Sequence, residues 1–486
     1  VIAEFEGDAL YDSYEKSAVS ESFQDYLNGS AAAKIKASLE KTHEKFLSVL
    51  NSKGIDYTYK YSYTVLNNGV AIKISADDFE TVSNLSGVKN VYFSENYAVP
   101  KVAVTNNANV YSTGIYDSSD LDYKGEGMVV AILDTGLDYS HEAFQTMPDD
   151  PAWTKTTVAN KLVAIKESGK PFYAKASVDE VYYNAKVPFA YDYADDDPDV
   201  YPSYSSHGTH VAGIVAGQSN YVVATKDGVE ETFLGVAPQA QLVIGKVFTD
   251  NLDSDSLGGA DTVDIISAVS DCVALGVDVI NMSLGSSAGF AREEDDEFLN
   301  AIYDSVEAAG ISLVVAASND YSSGFGGGNG TNLASNPDSG TVGSPSTYKA
   351  ALSVASINGQ KSTYIQANED EDQVAFITEA SDGDGNTLDF VDQLYKIAGK
   401  PKGTTLNFKY VVVSGVGRPA NYSGRVAREL ADKEGYDGTI ALVKRGDITF
   451  AEKVQNAMDN DADACIIYNN LSGTIRMSLG DVNEPI

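Results

Sequence analysis

The chain has 486 residues, 43% of them hydrophobic and 21% charged, and its formal net charge at pH 7 is -36. This composition is that of a globular protein with several domains, because single cores stop growing beyond ~250–300 residues. The negative charge disfavours nucleic acid and anionic membranes as partners, and no apolar run approaches the ~18 residues of a membrane-spanning helix.

Residues 1–100 are predicted to form a small domain of strands and helices. Hydrophobic periodicity places its elements, in chain order, as a strand at 1–6, a helix at 31–51, strands at 57–66 and 70–75, a helix at 77–85 and a strand at 88–93. The βαββαβ order is typical of a ferredoxin-like domain, which by itself indicates no particular function.

Between residues 128 and 357 the pattern changes to short apolar runs that alternate with helical segments. The predicted strands lie at 128–133, 241–248, 277–281 and 311–317. Such runs suit parallel strands buried on both faces, so we expect an α/β domain with functional side chains at the carboxyl ends of its strands. An insert at about 149–204, rich in Tyr, Lys and Asp, is predicted to form surface loops.

A third, β-rich domain is predicted from residue 372 to 486. It contains a strand at 439–443, a turn at 445–446, a helix at 450–458 and a strand at 464–468. The two cysteines, Cys272 and Cys465, fall in apolar stretches of different predicted domains, so we expect two buried thiols and no disulfide.

Two short segments carry the residue types of acid–base chemistry. The first predicted parallel strand ends in Asp134-Thr-Gly, and Ser206-His207-Gly-Thr-His210 opens a helix of small residues. Taken alone, Asp134 is also what a turn or a helix cap requires. The two histidines could bind a metal, but no Glu intervenes and no third ligand follows at a suitable spacing, which disfavours zinc.

In this order, the two segments resemble the Asp and His motifs of the subtilisin-like serine proteases. The resemblance continues through four further segments, which are Gly235-Val-Ala-Pro238, Val277 to Gly285, Val314 to Asn319 and Gly343-Ser-Pro345. It implies that residues 128–371 form a subtilisin-like catalytic domain, whose largely parallel sheet is flanked by helices.

The resemblance also implies roles for individual residues. Asp134 would orient His207, which would act as general base and then as general acid in peptide hydrolysis. Asn319 would donate its side-chain amide to the oxyanion. Walls for the substrate residue before the scissile bond are implied at Ser283, Leu284, Gly285, Ala316, Ala317 and Ser318. Most relatives have Gly in place of Ser318, so we expect a narrower or more polar pocket.

The nucleophilic Ser of this family stands in a Gly-Thr-Ser-Met-Ala type segment, which the chain does not contain. Ser344 and Ser346 match a different feature of the family and are disfavoured as replacements. Residues 438–454 and 464–470 resemble the protease-associated domain, which large subtilases often insert before this Ser. We therefore expect the Ser beyond Ile486, an incomplete protease-associated domain at 372–486 and no activity of these 486 residues alone.

With a protease implied, residues 1–100 resemble the propeptide of this family, which inhibits the enzyme until it is cut. Residues 101–127 would form a linker, and we expect the maturation cut within 96–116. The predicted function is that of a secreted or cell-surface serine endopeptidase, which cleaves extended polypeptides and is inhibited by its own propeptide. The alternative is a catalytically dead relative that binds peptides, and sequence beyond Ile486 would distinguish the two.

The acidic run Asp195-Asp196-Asp197-Pro-Asp199 leaves two interpretations open. Carboxylates in such a run could bind a structural Ca²⁺, which prefers oxygen ligands. In a protein of this charge, a solvated acidic loop is the simpler interpretation. The predicted chemistry requires no cofactor.

Overall fold

The computed structural model describes residues 1–17, 19–99, 123–166, 176–226, 229–251, 259–286, 297–319, 342–355, 364–367, 372–375, 380–381, 387–388, 390–468 and 477–479. The chain divides into two compact units, of which the first holds the described residues up to 355 and the second those from 364 onward. Most of the predicted linker at 101–127 and of the predicted cleavage segment at 96–116 lies outside the described residues.

The amino-terminal domain has the predicted βαββαβ order, with two additional short helices. Its elements are β1 (Ile2–Phe5), α1 (Leu10–Ser17), α2 (Phe23–Leu27), α3 (Ser30–Lys53), β2 (Tyr57–Tyr63), β3 (Gly69–Ile74), α4 (Phe79–Ser83) and β4 (Val88–Tyr92). The strands form an antiparallel sheet in the order β2-β3-β1-β4, which is the ferredoxin-like arrangement. The sequence pattern does not predict α1 and α2, whose aromatic rings pack against one another.

A histidine lies in the core of this domain. His43 on α3 is 2% exposed, its ring contacts Phe5, and its Nε2 lies 2.9 Å from Oδ1 of Asn68. Its Nδ1 has no hydrogen-bond partner among the described residues. Burial lowers the pKa of His43, although the hydrogen bond with Asn68 opposes the shift.

We expect the amino-terminal domain to lose stability as the pH falls below ~6.5, the pKa of an unperturbed histidine. Below this pH the unfolded chain binds a proton at His43 that the folded domain excludes, so protons favour unfolding. Protection of the β1 and α3 amides from hydrogen exchange measures the loss. A His43→Gln variant keeps a donor for Asn68 and is expected to show a weaker pH dependence; equal dependence in the two proteins would contradict the prediction.

Among the described residues, a six-stranded parallel sheet forms the core of the remainder of the first unit. After β5 (Asn96–Tyr97), which ends the amino-terminal domain, the elements of this region are β6 (Val129–Asp134), α5 (Lys155–Lys166), α6 (Val178–Val181), β7 (Phe189–Asp192), α7 (His207–Ala216), β8 (Gln218–Lys226), β9 (Val229–Leu234), β10 (Gln241–Lys246), β11 (Ala260–Asp261), α8 (Thr262–Leu275), β12 (Val279–Met282), α9 (Glu297–Ala308), β13 (Ser312–Ala316) and β14 (Ala351–Val354). The sheet order is β14-β13-β12-β6-β10-β7, and all its neighbouring strands are parallel. The predicted parallel sheet is therefore confirmed.

The sheet places one strand at the centre of the site described below. All six residues of β6 are buried, and helix α8 is buried at every position. Because neighbouring strands run in the same direction, the carboxyl ends of β6, β10, β12 and β13 lie along one edge of the sheet.

The expectation that residues 149–204 form surface loops is wrong. The segment contains helix α5 and strand β7, and the four residues of β7 are buried and pair in parallel with β10. A strand of four residues is too short for its periodicity to show in a region rich in Tyr and Asp. Its position depends on the open edge of β10, which lies about fifty residues further along the chain.

The second unit contains the elements predicted at 439–468 and several others. Its elements are β15 (Tyr364–Ala367), β16 (Asp372–Ala375), β17 (Ala380–Ser381), β18 (Thr387–Leu388), α10 (Phe390–Ala398), β19 (Phe408–Val412), α11 (Arg425–Ala431), β20 (Gly438–Lys444), α12 (Phe450–Met458), β21 (Ala464–Tyr468) and β22 (Met477–Ser478). Strands β19, β20 and β21 form a parallel sheet, with α11 and α12 as the connecting helices.

Two further expectations from the sequence concern the burial of the two cysteines and the length of apolar segments. Cys272 and Cys465 are buried free thiols, as predicted. In the part of the chain that the structure describes, no helix has the length and apolarity needed to cross a membrane.

Candidate active site

A carboxylate lies where the central strand ends. Asp134 is the last residue of β6 and is 1% exposed. Its Oδ1 accepts a hydrogen bond of 2.7 Å from the backbone N–H of Thr135, while Oδ2 has no hydrogen-bond partner among the described residues. A buried carboxylate with so few donors favours a partner that can carry positive charge.

That partner is the imidazole of His207. His207 is the first residue of helix α7, and its Nδ1 lies 2.7 Å from Oδ1 of Asp134. Because an ionised carboxylate only accepts hydrogen bonds, Nδ1 carries the proton and Nε2 is the basic nitrogen of the neutral ring. The side chain is 14% exposed. Asp134 therefore holds His207 in the tautomer whose Nε2 can accept a proton.

Two glycines and a threonine bring helix α7 onto the end of β6. The hydroxyl of Thr135 accepts a hydrogen bond of 2.9 Å from the backbone N–H of Gly208 and donates one of 2.8 Å to the carbonyl oxygen of Ser205. A Cβ at Gly208 would lie 2.3 Å from the carbonyl oxygen of Gly136. Gly136 itself has a φ of +104°, which disfavours other residues. Glycine at both positions allows the close approach.

Replacing Gly208 by Ala is expected to separate His207 from Asp134, because the new methyl group would overlap the carbonyl oxygen of Gly136. Such overpacking costs ~1–3 kcal/mol of unfolding free energy. Urea unfolding measures the cost, and the downfield proton NMR signal of the His207 Nδ1–H, which the bond to Asp134 produces, is expected to disappear.

The matched control is Gly213→Ala on the same helix, where the nearest atom would be 3.6 Å from the new Cβ. This variant is expected to keep the Nδ1–H signal and to gain up to ~1 kcal/mol, because alanine favours a helix over glycine. If both substitutions changed the unfolding free energy and the Nδ1–H signal equally, the close approach of α7 to β6 would not be what holds His207 against Asp134.

The segments predicted as substrate walls lie at the same edge of the sheet as Asp134. Ser283, Leu284 and Gly285 follow β12, which is adjacent to β6, whereas Ala316, Ala317 and Ser318 end or follow β13, the next strand. The side chains of Leu284 and Ala317 are buried, while Gly285 and Ser318 are exposed. These segments therefore offer backbone and small groups to a ligand.

The end of β13 carries a strained residue. Ser318 has a φ of +109°, a region of backbone conformation that favours glycine. Asn319 follows it and is exposed. Strained non-glycine residues cluster at functional sites, so Ser318 makes this strand end a candidate part of the site.

No serine among the described residues is hydrogen bonded to the imidazole of His207. Ser346, considered above as a replacement nucleophile, is 4% exposed and donates its hydroxyl to Oγ of Ser353 at 2.5 Å. Ser344 pairs through its backbone with Ser286. The structure therefore brings together Asp134 and His207 without a nucleophile in its described part.

The acidic run at 195–199 makes separate local contacts. Its carboxylates accept hydrogen bonds as follows: Asp195 from Lys246 and Thr249, Asp196 from Tyr191, Asp197 from the backbone of Asp199, and Asp199 from the backbone of Tyr201. Within the described ranges, no group of three or more His, Cys, Asp or Glu side chains is arranged to hold a metal ion. The calcium site at this run stays a prediction.

The amino-terminal domain contacts the sheet domain through polar and aromatic groups. The hydroxyls of Tyr61 and Tyr63 on β2 donate to the carbonyl oxygens of Tyr193 and Val263, at 2.5 and 2.9 Å. Both tyrosines are 4% exposed. In addition, β5 pairs with β11, and the rings of Tyr92 and Phe298 stack with centroids 4.3 Å apart. The contact is specific and largely buried.

A set of charged residues lies beside Asp134 that the sequence pattern did not predict. Lys246 is paired in register with Asp134, is 2% exposed and contacts the carboxylates of Asp192 and Asp250. The sequence signal was a lysine within the apolar run predicted as a buried strand at 241–248. Because a lysine is rarely buried without a charged partner, its position could have predicted nearby carboxylates.

Comparisons with known proteins agree with this geometry. Residues 125–392, more than half of the chain, match the Subtilase family, residues 409–485 the PA domain and residues 17–99 the Peptidase inhibitor I9 family. The chain is 31% identical over 446 residues to the PII-type proteinase of Lactococcus lactis subsp. cremoris, a match that covers 90% of this chain and 20% of that protein. It is 31% identical over 362 residues to the C5a peptidase of Streptococcus pyogenes serotype M3, covering 74% of this chain and 27% of that protein.

Among solved structures, the epidermin leader peptide processing serine protease of Staphylococcus aureus matches with a TM-score of 0.37 and 16% identity, over 64% of this chain and 66% of that chain. The family matches decide the classification: the chain belongs to the subtilase family, with an I9-type amino-terminal domain and a protease-associated domain. The chain spans about a fifth of the length of the first relatives that it matches.

Proposed function

We propose that the protein is a serine endopeptidase, in which Asp134 and His207 activate a serine located beyond residue 486. The observation that carries the proposal is the 2.7 Å contact between Nδ1 of His207 and Oδ1 of Asp134 at the carboxyl edge of the sheet. In a chain of the subtilase family, this contact supports the assignment of Asp134 and His207 as the acid–base half of a catalytic triad.

In the proposed reaction, Nε2 of His207 accepts the proton of the serine hydroxyl as its oxygen attacks the scissile carbonyl. The buried carboxylate of Asp134 stabilises the imidazolium that forms. The same proton then passes to the leaving amine. The exposed amide of Asn319, at the end of β13, donates to the negative oxygen of the tetrahedral intermediate. The 486 residues alone are expected not to hydrolyse peptides, because they lack the serine motif.

The proposed substrates are extended polypeptides. The segments after β12 and β13 can bind a substrate backbone as an added strand, with Gly285 and Ser318 exposed towards solvent. The hydroxyl and Cβ of Ser318 occupy space that a glycine would leave open, which favours small or polar substrate side chains at this wall. The chemistry as proposed uses no cofactor.

The proposed regulator is the amino-terminal domain itself. Its I9-type sequence and its buried contacts with β11 and α8 support a role as an intramolecular inhibitor that a cut in the following segment releases. We propose that the protein acts outside the cell or at its surface, because a propeptide of this kind suits an enzyme activated after export.

Substitution of the dyad tests the catalytic proposal. In the longer protein that includes its serine, Asp134→Asn is expected to lower kcat ~10⁴-fold, because the imidazole then adopts the wrong tautomer. His207→Ala is expected to lower kcat by at least the same factor. Hydrolysis of an unstructured polypeptide, with and without a serine-directed inhibitor, measures both effects.

The matched control is His141→Ala, which removes an exposed histidine outside the dyad. It is expected to retain full hydrolysis. Hydrolysis that survives His207→Ala would exclude the proposed mechanism. Peptide binding without hydrolysis by the unsubstituted protein would favour the catalytically dead alternative.

The inhibitor role is tested by Tyr61→Phe and Tyr63→Phe. Each change removes a hydroxyl that donates to a carbonyl oxygen of the sheet domain, a bond worth ~0.5–1.5 kcal/mol. Inhibition of the mature enzyme by the separate amino-terminal domain is expected to weaken ~3- to 10-fold per substitution. Tyr59→Phe, on the exposed part of the same strand, serves as the control; an equal effect there would count against the contacts at Tyr61 and Tyr63.

A further inference from the structure

A buried lysine lies beside Asp134 in the sheet. Lys246 is the last residue of β10 and is 2% exposed. Its Nζ contacts the carboxylates of Asp192, Asp195 and Asp250, the latter two at 3.3 Å each. Burial alone lowers the pKa of Lys246, but the three carboxylates outweigh burial and raise it, so the ammonium stays charged.

Each of these carboxylates fixes a different piece of backbone. Asp192 accepts from the N–H groups of Ala194 and Asp195, Asp195 from the Thr249 hydroxyl and the Asp250 N–H, and Asp250 from the N–H groups of Ser203 and Tyr204 at 2.9 and 3.0 Å. One ammonium therefore joins the turn after β7, the loop at 203–204 and the loop after β10.

The loop held by Asp250 leads directly into the helix that carries His207. Residues 203–204 are followed by Ser205, whose carbonyl oxygen accepts the Thr135 hydroxyl at 2.8 Å. His207 begins helix α7 two residues later. The backbone before His207 is thus fixed by Asp250 on one side and by the end of β6 on the other.

The stem of the same lysine supports the other half of the dyad. A Cβ at Gly136 would lie 2.9 Å from Cδ of Lys246, which places the stem against the turn that follows Asp134. Lys246 and Asp134 are also partners in the parallel pairing of β10 and β6. A single side chain therefore contacts the turn after Asp134 and, through Asp250, the loop before His207.

We propose that Lys246 is a positioning residue for the Asp134–His207 dyad. Its ammonium holds Asp250 and through it the backbone before His207, while its stem supports the turn after Asp134. The effect on hydrolysis rests on the proposed function, but the orientation of His207 is measurable without a nucleophile. Lys246 acts through the dyad and needs no contact with substrate.

A second buried lysine, which contacts the backbone just before the start of β10, provides a matched control. Lys186 is fully buried, and its Nζ donates to the carbonyl oxygens of Pro238 and Ala240 at 2.6 and 2.8 Å, just before β10 begins. Burial lowers its pKa to about 7. Lys186→Met removes a buried lysine next to the start of β10, and neither carbonyl oxygen that this lysine binds belongs to residues 203–208.

The first measurement is the Nδ1–H proton signal of His207 in the 486-residue chain, assigned by its loss in His207→Ala. We expect Lys246→Met to shift or broaden this signal and Lys186→Met to leave it unchanged. Asp250→Asn is expected to shift it as well, because Ser203 and Tyr204 donate to different oxygens of Asp250 and the amide replaces one of these oxygens by a donor NH₂ group. Asp197→Asn, the same change of charge in the acidic loop, is expected to have no effect.

Asp250→Asn keeps the test decisive if Lys246→Met does not fold. Its side chain is 22% exposed, and the substitution preserves its shape. In the longer protein with its serine, Lys246→Met is expected to lower kcat ~10²-fold, the effect of a misplacement of ~1 Å, and Asp250→Asn ~10-fold. KM is expected to change less than ~2-fold in both, because neither residue contacts substrate in this role.

An unchanged His207 signal in Asp250→Asn and in folded Lys246→Met overturns the positioning role, as does an equal change in Lys186→Met or Asp197→Asn. A loss expressed mainly in KM also overturns it. Absence of hydrolysis by the unsubstituted longer protein instead contradicts the proposed function, while the NMR comparison still decides the role of Lys246.

Discussion

The contact between Asp134 and His207 depends on how closely the backbone of helix α7 approaches the end of β6. The two residues are 73 positions apart in sequence, yet their side chains meet at 2.7 Å. Gly208 and Gly136 remove the side chains that would keep helix and strand apart, and the Thr135 hydroxyl bonds the two backbones together. The strands beside β6 run in the same direction and end at the same edge of the sheet. The segments that follow these strands therefore lie at the same edge of the sheet as Asp134 and His207.

Buried lysines form a second constraint on this fold. An ammonium group is costly to remove from water, so each buried lysine requires acceptors in defined positions. Lys186 binds two carbonyl oxygens, Lys246 binds three carboxylates, and Lys453 in the second unit binds the carbonyl oxygens of Val416 and Lys444. Such groups add little net stability but select one arrangement of loops, and around Lys246 that arrangement includes the backbone of the site.

The amino-terminal domain meets the sheet domain in a way that suits a reversible inhibitor. Tyr61 and Tyr63 bury their rings but end in hydroxyls bonded to backbone carbonyl oxygens, and water can satisfy both partners after separation. The pairing of β5 with β11 likewise uses backbone groups at the end of the domain. Specific binding and later release are therefore compatible in one interface.

The sequence by itself determined the βαββαβ order of the amino-terminal domain, four strands of the parallel sheet and the segments that carry Asp134 and His207. Apolar runs placed β6, β10, β12 and β13, and the segments around Asp134 and His207 were specific enough to indicate the family. The tertiary structure alone decided the position of β7, because four residues carry no period and depend on the open edge of β10. It also decided the contacts of Lys246, since two of its partners, Asp192 and Asp195, lie about fifty residues earlier in the chain, at and just after the end of β7. Periodicity and turn chemistry are local properties of a sequence, whereas the surfaces that bury one another are fixed only when distant segments pack.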